Sequence, residues 1–399
     1  MSVLIVGASV AGVRTAQALR AADYAGDITM IGEELHRPYD KPPLTKAMLD
    51  PHGDGAQVPL LSDDDLEALT IDLQLGVRAL SLDPARRVVT TDLMQDLTYK
   101  NLVIATGVTP RTLPAMEHLS GVHAIRTADD AHNLRIQLPG AEHVVVIGAG
   151  FIGAEFATAA SKYGCQVTIV EAQRTPMAHI VGEEVGALLA DLHRANGVRL
   201  VTNACFARFE GNNHVSAVVL DDGRTLPADL VVVGIGTRPA TDWLATSGLP
   251  VSNGIDCDEQ LRVIAFPGVY AAGDVARRPH PHYDTSVRIE HWTSANEHGA
   301  VVAASIMRKP IPSPAMPYVW SDQYDHRIQI IGRPSAGKLF LHAGDAHDHL
   351  VALYAAPSGS LVGAVIVDDP RLMLRCRRAI NERAQVGDLD LGLRITRIG

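Results

Sequence analysis

Val3-Leu4-Ile5-Val6-Gly7-Ala8-Ser9-Val10-Ala11-Gly12, with Glu33 further on, decides the fold, because the chain repeats the pattern. The second version is Val144-Val145-Val146-Ile147-Gly148-Ala149-Gly150-Phe151-Ile152-Gly153, with Glu171 after it. Each predicts a buried parallel strand, a glycine turn, a helix start, and an acid closing a second strand. The glycines let the backbone approach a pyrophosphate seated on the helix N-terminus. The acid, about 20 residues on, holds a ribose hydroxyl. One such turn is a weak signal. Two with complete context imply two bound dinucleotides, and so electron traffic between them.

Working outward, residues 2–6 and 27–31 read as strands around a helix from Val10 to Ala22. A polar, proline-bearing loop runs from Glu33 to Lys46, and Leu102 to Gly107 is a buried strand ending in a small-residue turn. After Val108-Thr109-Pro110-Arg111 the chain changes unit. The second unit repeats the plan: a strand from Val144, a helix over 152–163, and a strand over 167–171. An antiparallel excursion over about Leu200 to Leu226 follows, returning through Leu230-Val231-Val232-Val233-Gly234-Ile235-Gly236. This is an internal duplication of a nucleotide-binding unit. Val269-Tyr270-Ala271-Ala272-Gly273-Asp274 is assigned back to the first unit, and the prolines between Arg308 and Pro317 mark a boundary. Beyond them, β-type segments at 339–341, 350–354 and 361–367 precede a helix from Pro370.

The expected fold class is α/β, with two Rossmann-like dinucleotide-binding domains plus a C-terminal α+β domain. The expected domains are 1–108 with 237–309 (discontinuous, FAD), 109–236 (NAD) and 310–399.

Hydrophobic content of 47% and charged content of 20% describe an ordinary globular chain, and 399 residues provide two or three domains. No apolar run approaches the roughly 18 residues that span a bilayer. The apolar start, Met1 to Val6, reads as a first strand rather than a signal peptide, which places the chain in the cytoplasm. A net charge of −10 argues against nucleic acid and anionic membranes as partners. Cys165, Cys205, Cys257 and Cys376 show no metal-ligand spacing and read as reduced, mostly buried thiols. His280, His282 and His291 read as a solvated loop rather than a metal site, because no cysteine or paired acid completes a ligand set.

The order of units, with one dinucleotide domain inserted in the other and a β-rich C-terminal domain, resembles the two-dinucleotide flavoprotein reductases of the glutathione-reductase-like fold. Three segments narrow the resemblance: Arg37-Pro38-Tyr39-Asp40-Lys41-Pro42-Pro43-Leu44-Thr45-Lys46, Val287-Arg288-Ile289-Glu290-His291-Trp292, and Trp320-Ser321-Asp322-Gln323-Tyr324-Asp325. With them the chain resembles the FAD-dependent NADH:ferredoxin reductases that serve P450s and ring-hydroxylating oxygenases, the kind that includes putidaredoxin reductase and biphenyl dioxygenase ferredoxin reductase. Disulfide reductases of this superfamily carry a cysteine pair after the first acid, and NADH peroxidases carry one cysteine there. This chain has none between Glu33 and Lys46. Without a thiolate to take the flavin's electrons, they leave the flavin directly.

For FAD, the turn residues are Gly7, Ser9, Ala11 and Gly12, with Glu33 for the adenosine ribose and Ala105 and Gly107 at the neighbouring strand end. Ser9 departs from the usual middle glycine, though its hydroxyl suits a phosphate oxygen. The resemblance implies Asp274 at the ribityl hydroxyls and Ala79, Arg126 and Trp292 around the same cofactor. For NADH, Gly148, Gly150, Phe151, Ile152 and Gly153 form the turn, and Gly234 and Gly236 let the nicotinamide end pass close to the backbone. Glu171 favours a 2′-hydroxyl over a 2′-phosphate, with Arg174 nearby as the counter-indication.

The catalytic set implied is Lys46 beside the flavin, Glu155 reaching Lys46, and Trp320 as an aromatic wall. The implied reaction is hydride transfer from NADH to FAD, then single electrons to an iron–sulfur ferredoxin. Rubredoxin, a quinone or monodehydroascorbate remains open as acceptor, as does a redox-sensing role like that of apoptosis-inducing factor. A monomer or weak homodimer is expected. On the C-terminal helix, Arg371, Arg375 and Arg378 recur on one face opposite Leu372, Cys376 and Ile380, a stripe suited, with Arg308 and Lys309, to steering an acidic ferredoxin.

Overall fold

Ser2–Val6 lies at the centre of a five-stranded parallel sheet, between Asp27–Gly32 and Asn101–Ile104. The full order is Val269–Ala271, Asn101–Ile104, Ser2–Val6, Asp27–Gly32, Asp72–Leu75. Val3, Leu4, Ile5 and Val6 are all buried, as expected of a parallel strand covered on both faces. Val269–Ala271 pairs in parallel with Asn101–Ile104, so the late Tyr270-Ala271-Ala272-Gly273-Asp274 run does return to the first sheet. The computed structural model describes residues 2–389, apart from the side chains of Asp284 and Asp348.

The second sheet repeats the first. His143–Ile147 pairs with Gln166–Val170 and Leu230–Val233, flanked by Arg199–Val201 and Val122–His123, all parallel. The expected excursion is shorter than 200–226. Leu200 belongs to the parallel sheet, reached by the crossover helix Ala178–Ala195 that a parallel connection requires. The antiparallel part is Phe206–Gly211, Val215–Leu220 and Thr225–Pro227.

The chain groups into two compact units. One comprises residues 1–40, 57–109 and 237–317; the other comprises 41–56, 110–236 and 318–399. The second unit ends in a five-stranded antiparallel sheet in the order Tyr318–Gln323, His326–Gly332, Leu361–Val367, Asp348–Ala355, Lys338–Asp345. Its first hairpin turns on Tyr324 and Asp325, both at positive φ, so the two strands are joined without a glycine or asparagine. The helix Pro370–Asn381 follows. Asp369 caps it by accepting from the Leu372 N–H at 2.9 Å. Leu372, Cys376, Ala379 and Ile380 are buried, and Arg371, Leu374, Arg375 and Arg378 are exposed.

Two minor expectations change. His280 is buried at the end of the strand Ala276–His280, not in a solvated loop, because its ring packs with those of His282 and Tyr283. Cys205 is exposed and Cys165 half-buried, while Cys257 and Cys376 are buried and all four are free. Burial pushes the Cys257 and Cys376 thiols up to about 12, which leaves them unreactive. Among the described residues, no helix is long and apolar enough to cross a membrane.

Candidate functional site

The two glycine turns have the same construction. Gly7 N–H donates to Ile31 O at 2.8 Å, and Gly148 N–H donates to Val170 O at 2.8 Å. Both glycines have positive φ, +118° and +102°. A Cβ on Gly7 would lie 2.2 Å from Ala105 O, and one on Gly148 would lie 2.3 Å from Gly234 O. Gly12 and Gly153 are equally constrained: a Cβ on either would sit 2.1 Å from the carbonyl oxygen of the first glycine of its turn. Packing inside the protein therefore demands these four glycines.

Gly150 is different. Its φ is −80°, which any residue adopts, and no atom lies within 4 Å of its missing Cβ. Gly234 likewise has nothing closer than 3.5 Å. The protein's own packing does not require glycine at either place, and the space beside Gly150 is open. The helices Val10–Ala21 and Phe151–Lys162 add a second common feature. Neither has a side-chain cap or an acid in its first turn, whereas Asp63–Leu69 and Ala128–Gln137 each carry a complete capping box. Open N–H groups at a helix start, facing space a Cβ would fill, suit a pyrophosphate.

The acids differ between the units. Glu171 lies across its turn, with Oε2 accepting from Ala149 N–H and Oε1 from Gln173 N–H, both at 2.9 Å. Glu33 is exposed, with Arg78 Nε at 3.8 Å. Arg174 is exposed. In the first unit, Ala79 opens the strand Ala79–Asp83, Gly107 takes positive φ, and Asp274 sits in the short turn Gly273–Val275. Trp292 Nε1 donates to Asp40 Oδ1 at 2.5 Å. Arg126 belongs to the second unit, just before the helix Ala128–Gln137, as does Gly236, whose φ is +93°.

Lys46 and Glu155, far apart in sequence, meet in the second unit. Lys46 Nζ lies 2.6 Å from Glu155 Oε2. Glu155 sits in the second turn of the helix Phe151–Lys162 and is only 6% exposed. An ionised carboxylate so buried requires several donors. It has four: Lys46 and Thr45 Oγ1 (2.5 Å) on Oε2, Ser321 Oγ (2.8 Å) and Asp322 N–H (3.2 Å) on Oε1. Gln323 Nε2 in turn donates to Ser321 Oγ at 3.0 Å, which leaves that hydroxyl proton for Glu155. Trp320 is next to Ser321 on the same strand, its ring stacked 5.9 Å from that of Tyr318.

Thr45, Ser321 and Gln323 escaped the sequence reading as site residues, although all lie inside quoted segments. Arg135 carried no signal at all. It donates to the carbonyl oxygens of Met48 (3.3 Å), Asp50 (2.5 Å) and Gly53, anchoring the segment that presents Lys46.

Comparison with known proteins agrees with this construction. Residues 1–299 match the profile described as pyridine nucleotide-disulphide oxidoreductase. The chain belongs to that family. Residues 318–392 match a reductase C-terminal domain. The ferredoxin–NAD(+) reductase component of the p-cumate 2,3-dioxygenase system of Pseudomonas putida is 33% identical over 386 residues, covering 96% of this chain and 94% of that protein. A rubredoxin–NAD(+) reductase of Pseudomonas putida is 36% identical over 334 residues, covering 83% and 86%. Among solved structures, the covalent putidaredoxin reductase–putidaredoxin complex matches with a TM-score of 0.91 at 32% identity, covering 96% of this chain and 93% of that one. The disulphide in the family's name has no counterpart around Lys46, since the first cysteine of this oxidoreductase is Cys165.

Proposed function

We propose that this family member is an FAD-dependent, NADH-using reductase that passes electrons to an iron–sulfur ferredoxin, which feeds a P450 or Rieske-type oxygenase. The carrying observation is the Lys46–Glu155 pair. A segment where disulfide-reducing relatives keep thiols instead presents an ammonium, fixed by a saturated carboxylate. Bound FAD supplies the chemistry, accepting two electrons together and releasing them singly.

The chain's own residues bind, orient and balance charge. Gly7, Ser9, Ala11 and Gly12 take the FAD pyrophosphate, Glu33 the adenosine ribose, and Asp274 the ribityl hydroxyls. Ala79, Ala105, Gly107, Arg126 and Trp292 complete that site. Gly148, Gly150, Phe151, Ile152 and Gly153 take NADH. Gly234 and Gly236 admit its nicotinamide end, and Glu171 repels a 2′-phosphate. Lys46 offsets negative charge that develops on the reduced cofactor, Glu155 aims the ammonium, and Trp320 shields the site. The domain boundaries we assign are 1–108 with 237–309, 109–236, and 310–399. We place the enzyme in the cytoplasm as a monomer or weak homodimer.

The rubredoxin–NAD(+) reductase relative keeps one alternative acceptor in view. NADH-dependent turnover of the purified holoenzyme with a [2Fe–2S] ferredoxin, a rubredoxin and a quinone separates the readings. The proposal expects the highest kcat/KM with the ferredoxin. A quinone or rubredoxin preferred by tenfold or more would replace it.

A further inference from the structure

Asp274 sits in a turn held by two side chains whose chemistry nothing above uses. The Gly273 N–H donates to Nδ1 of His298 at 3.0 Å. On the other side, Arg288 Nη1 donates to the carbonyl oxygen of Asp274 at 3.0 Å. The two bonds therefore hold the Ala272–Gly273 peptide and the Asp274–Val275 peptide, one on each side of Asp274.

Neither grip is a loose surface contact. His298 is 5% exposed, on the helix Trp292–Met307. Burial, reinforced by the Arg278 charge, keeps its imidazole neutral, so Nδ1 retains the lone pair that an N–H donor needs. Arg288 is fixed in turn by Glu290 Oε1 at 2.5 Å and Asn253 Oδ1 at 3.1 Å. Glu290 also accepts from Thr237 Oγ1 at 2.7 Å. The Arg288-Ile289-Glu290 part of the sequence segment singled out above is thus a brace for Asp274.

Gly273 itself has little freedom. Its φ is +74°, and a Cβ there would meet the Cβ of Ala11, in the first fingerprint, at 3.0 Å. The helix that carries His298 is seated directly on the fingerprint helix: a Cβ on Gly299 would lie 2.5 Å from the Arg14 backbone. The Gly273–Asp274 turn, the fingerprint helix and the His298 helix are therefore locked together within one unit.

We propose that His298 and Arg288 are positioning residues for Asp274, holding its carboxylate where the ribityl hydroxyls of FAD arrive. Acting through Asp274, they set the rate at which FAD leaves. The inference rests on the assignment of Asp274 to FAD.

The test is the FAD dissociation rate of purified holoenzyme, followed by recovery of flavin fluorescence on dilution, for D274A, H298L, H298N and R288M. An asparagine amide oxygen can replace Nδ1 as acceptor, whereas leucine cannot. D274A, H298L and R288M should each release FAD at least about tenfold faster. H298N should return to within about threefold of wild type, a rescue that loss of packing would not show. D274A with wild-type FAD retention would refute the cofactor assignment. D274A that loses FAD while H298L and R288M keep it, or H298N as impaired as H298L, would refute the clamp. R288M, on a different element, carries the test if H298L folds poorly.

Discussion

Lys46 Nζ and Glu155 Oε2 lie 2.6 Å apart, and the Glu155 carboxylate accepts hydrogen bonds from four donors, Lys46 among them. A glutamine at 155 must turn its NH2 towards either Thr45 and Lys46 or Ser321 and Asp322, so half of the network faces donor against donor. Glu155→Gln should slow NADH-driven flavin reduction at least about tenfold in stopped flow. It should also destabilise the holoenzyme by roughly 2 kcal/mol, the cost of leaving buried donors unsatisfied. Ser321→Ala, removing one donor only, should have the same direction and a smaller size.

The glycines of the second turn should separate folding from binding. Gly150→Ala meets no protein atom and should leave the melting temperature unchanged while raising KM for NADH at least severalfold. Gly153→Ala places its methyl 2.1 Å from Gly148 O and should lower the melting temperature outright. If Gly150→Ala left KM unchanged, the open space beside Gly150 would not be a dinucleotide site.

Glu171 is held across the turn by Ala149 and Gln173. Glu171→Ala should weaken NADH binding and, with the repelling charge gone, reduce discrimination against NADPH by about tenfold. The ratio of kcat/KM values for the two nucleotides measures this directly.

How much of this could be read without coordinates varied from element to element. The central strands of both parallel sheets and their turns were visible because a parallel strand buried on two faces is a continuous apolar run, and Gly7 and Gly148 are sterically obligatory, whereas the short edge strands Asp72–Leu75, Val122–His123 and Arg199–Val201 carry no such run. The hairpin Tyr318–Gly332 was missed because its turn, Tyr324-Asp325, carries no glycine or asparagine. Lys46 and Glu155 came from resemblance. Thr45, Ser321 and Arg135 did not, because a hydroxyl or guanidinium that braces another side chain leaves no spacing to recognise.

His193 gives the second unit a pH dependence. Burial, with Arg194 beside it, pulls its pKa down to about 4, and Nδ1 lies 2.8 Å from Tyr324 Oη. The folded pKa lies below the unfolded value of about 6.5, so the unfolded chain binds more protons between the two. The contribution is complete above about pH 6.5 and is lost as pH falls towards 4, amounting to roughly 3 kcal/mol. Urea midpoints of FAD-saturated protein at pH 7 and pH 4.5 should differ less in His193→Gln than in wild type.

The exposed face of the last helix carries Arg371 and Arg375 beside Leu374, which is 60% exposed, while Arg378 is engaged with Glu382 at 2.7 Å. Reversing Arg371 and Arg375 to glutamate should lower kcat/KM for ferredoxin about tenfold at low salt, leave KM for NADH unchanged, and converge on wild type at high salt. A salt profile identical to wild type would remove this face from the docking surface.

The central claim is that electrons enter in pairs from NADH and leave singly without a protein thiol. Anaerobic titration of the FAD-containing enzyme with NADH, then with oxidised ferredoxin, tests it most directly. One NADH should bleach one flavin, NADPH should do so far more slowly, and two ferredoxins should then be reduced per flavin, in unmodified protein and after its cysteines are alkylated. A chain that binds no flavin, or whose NADH-reduced form passes no electrons to ferredoxin once its cysteines are blocked, would contradict the account.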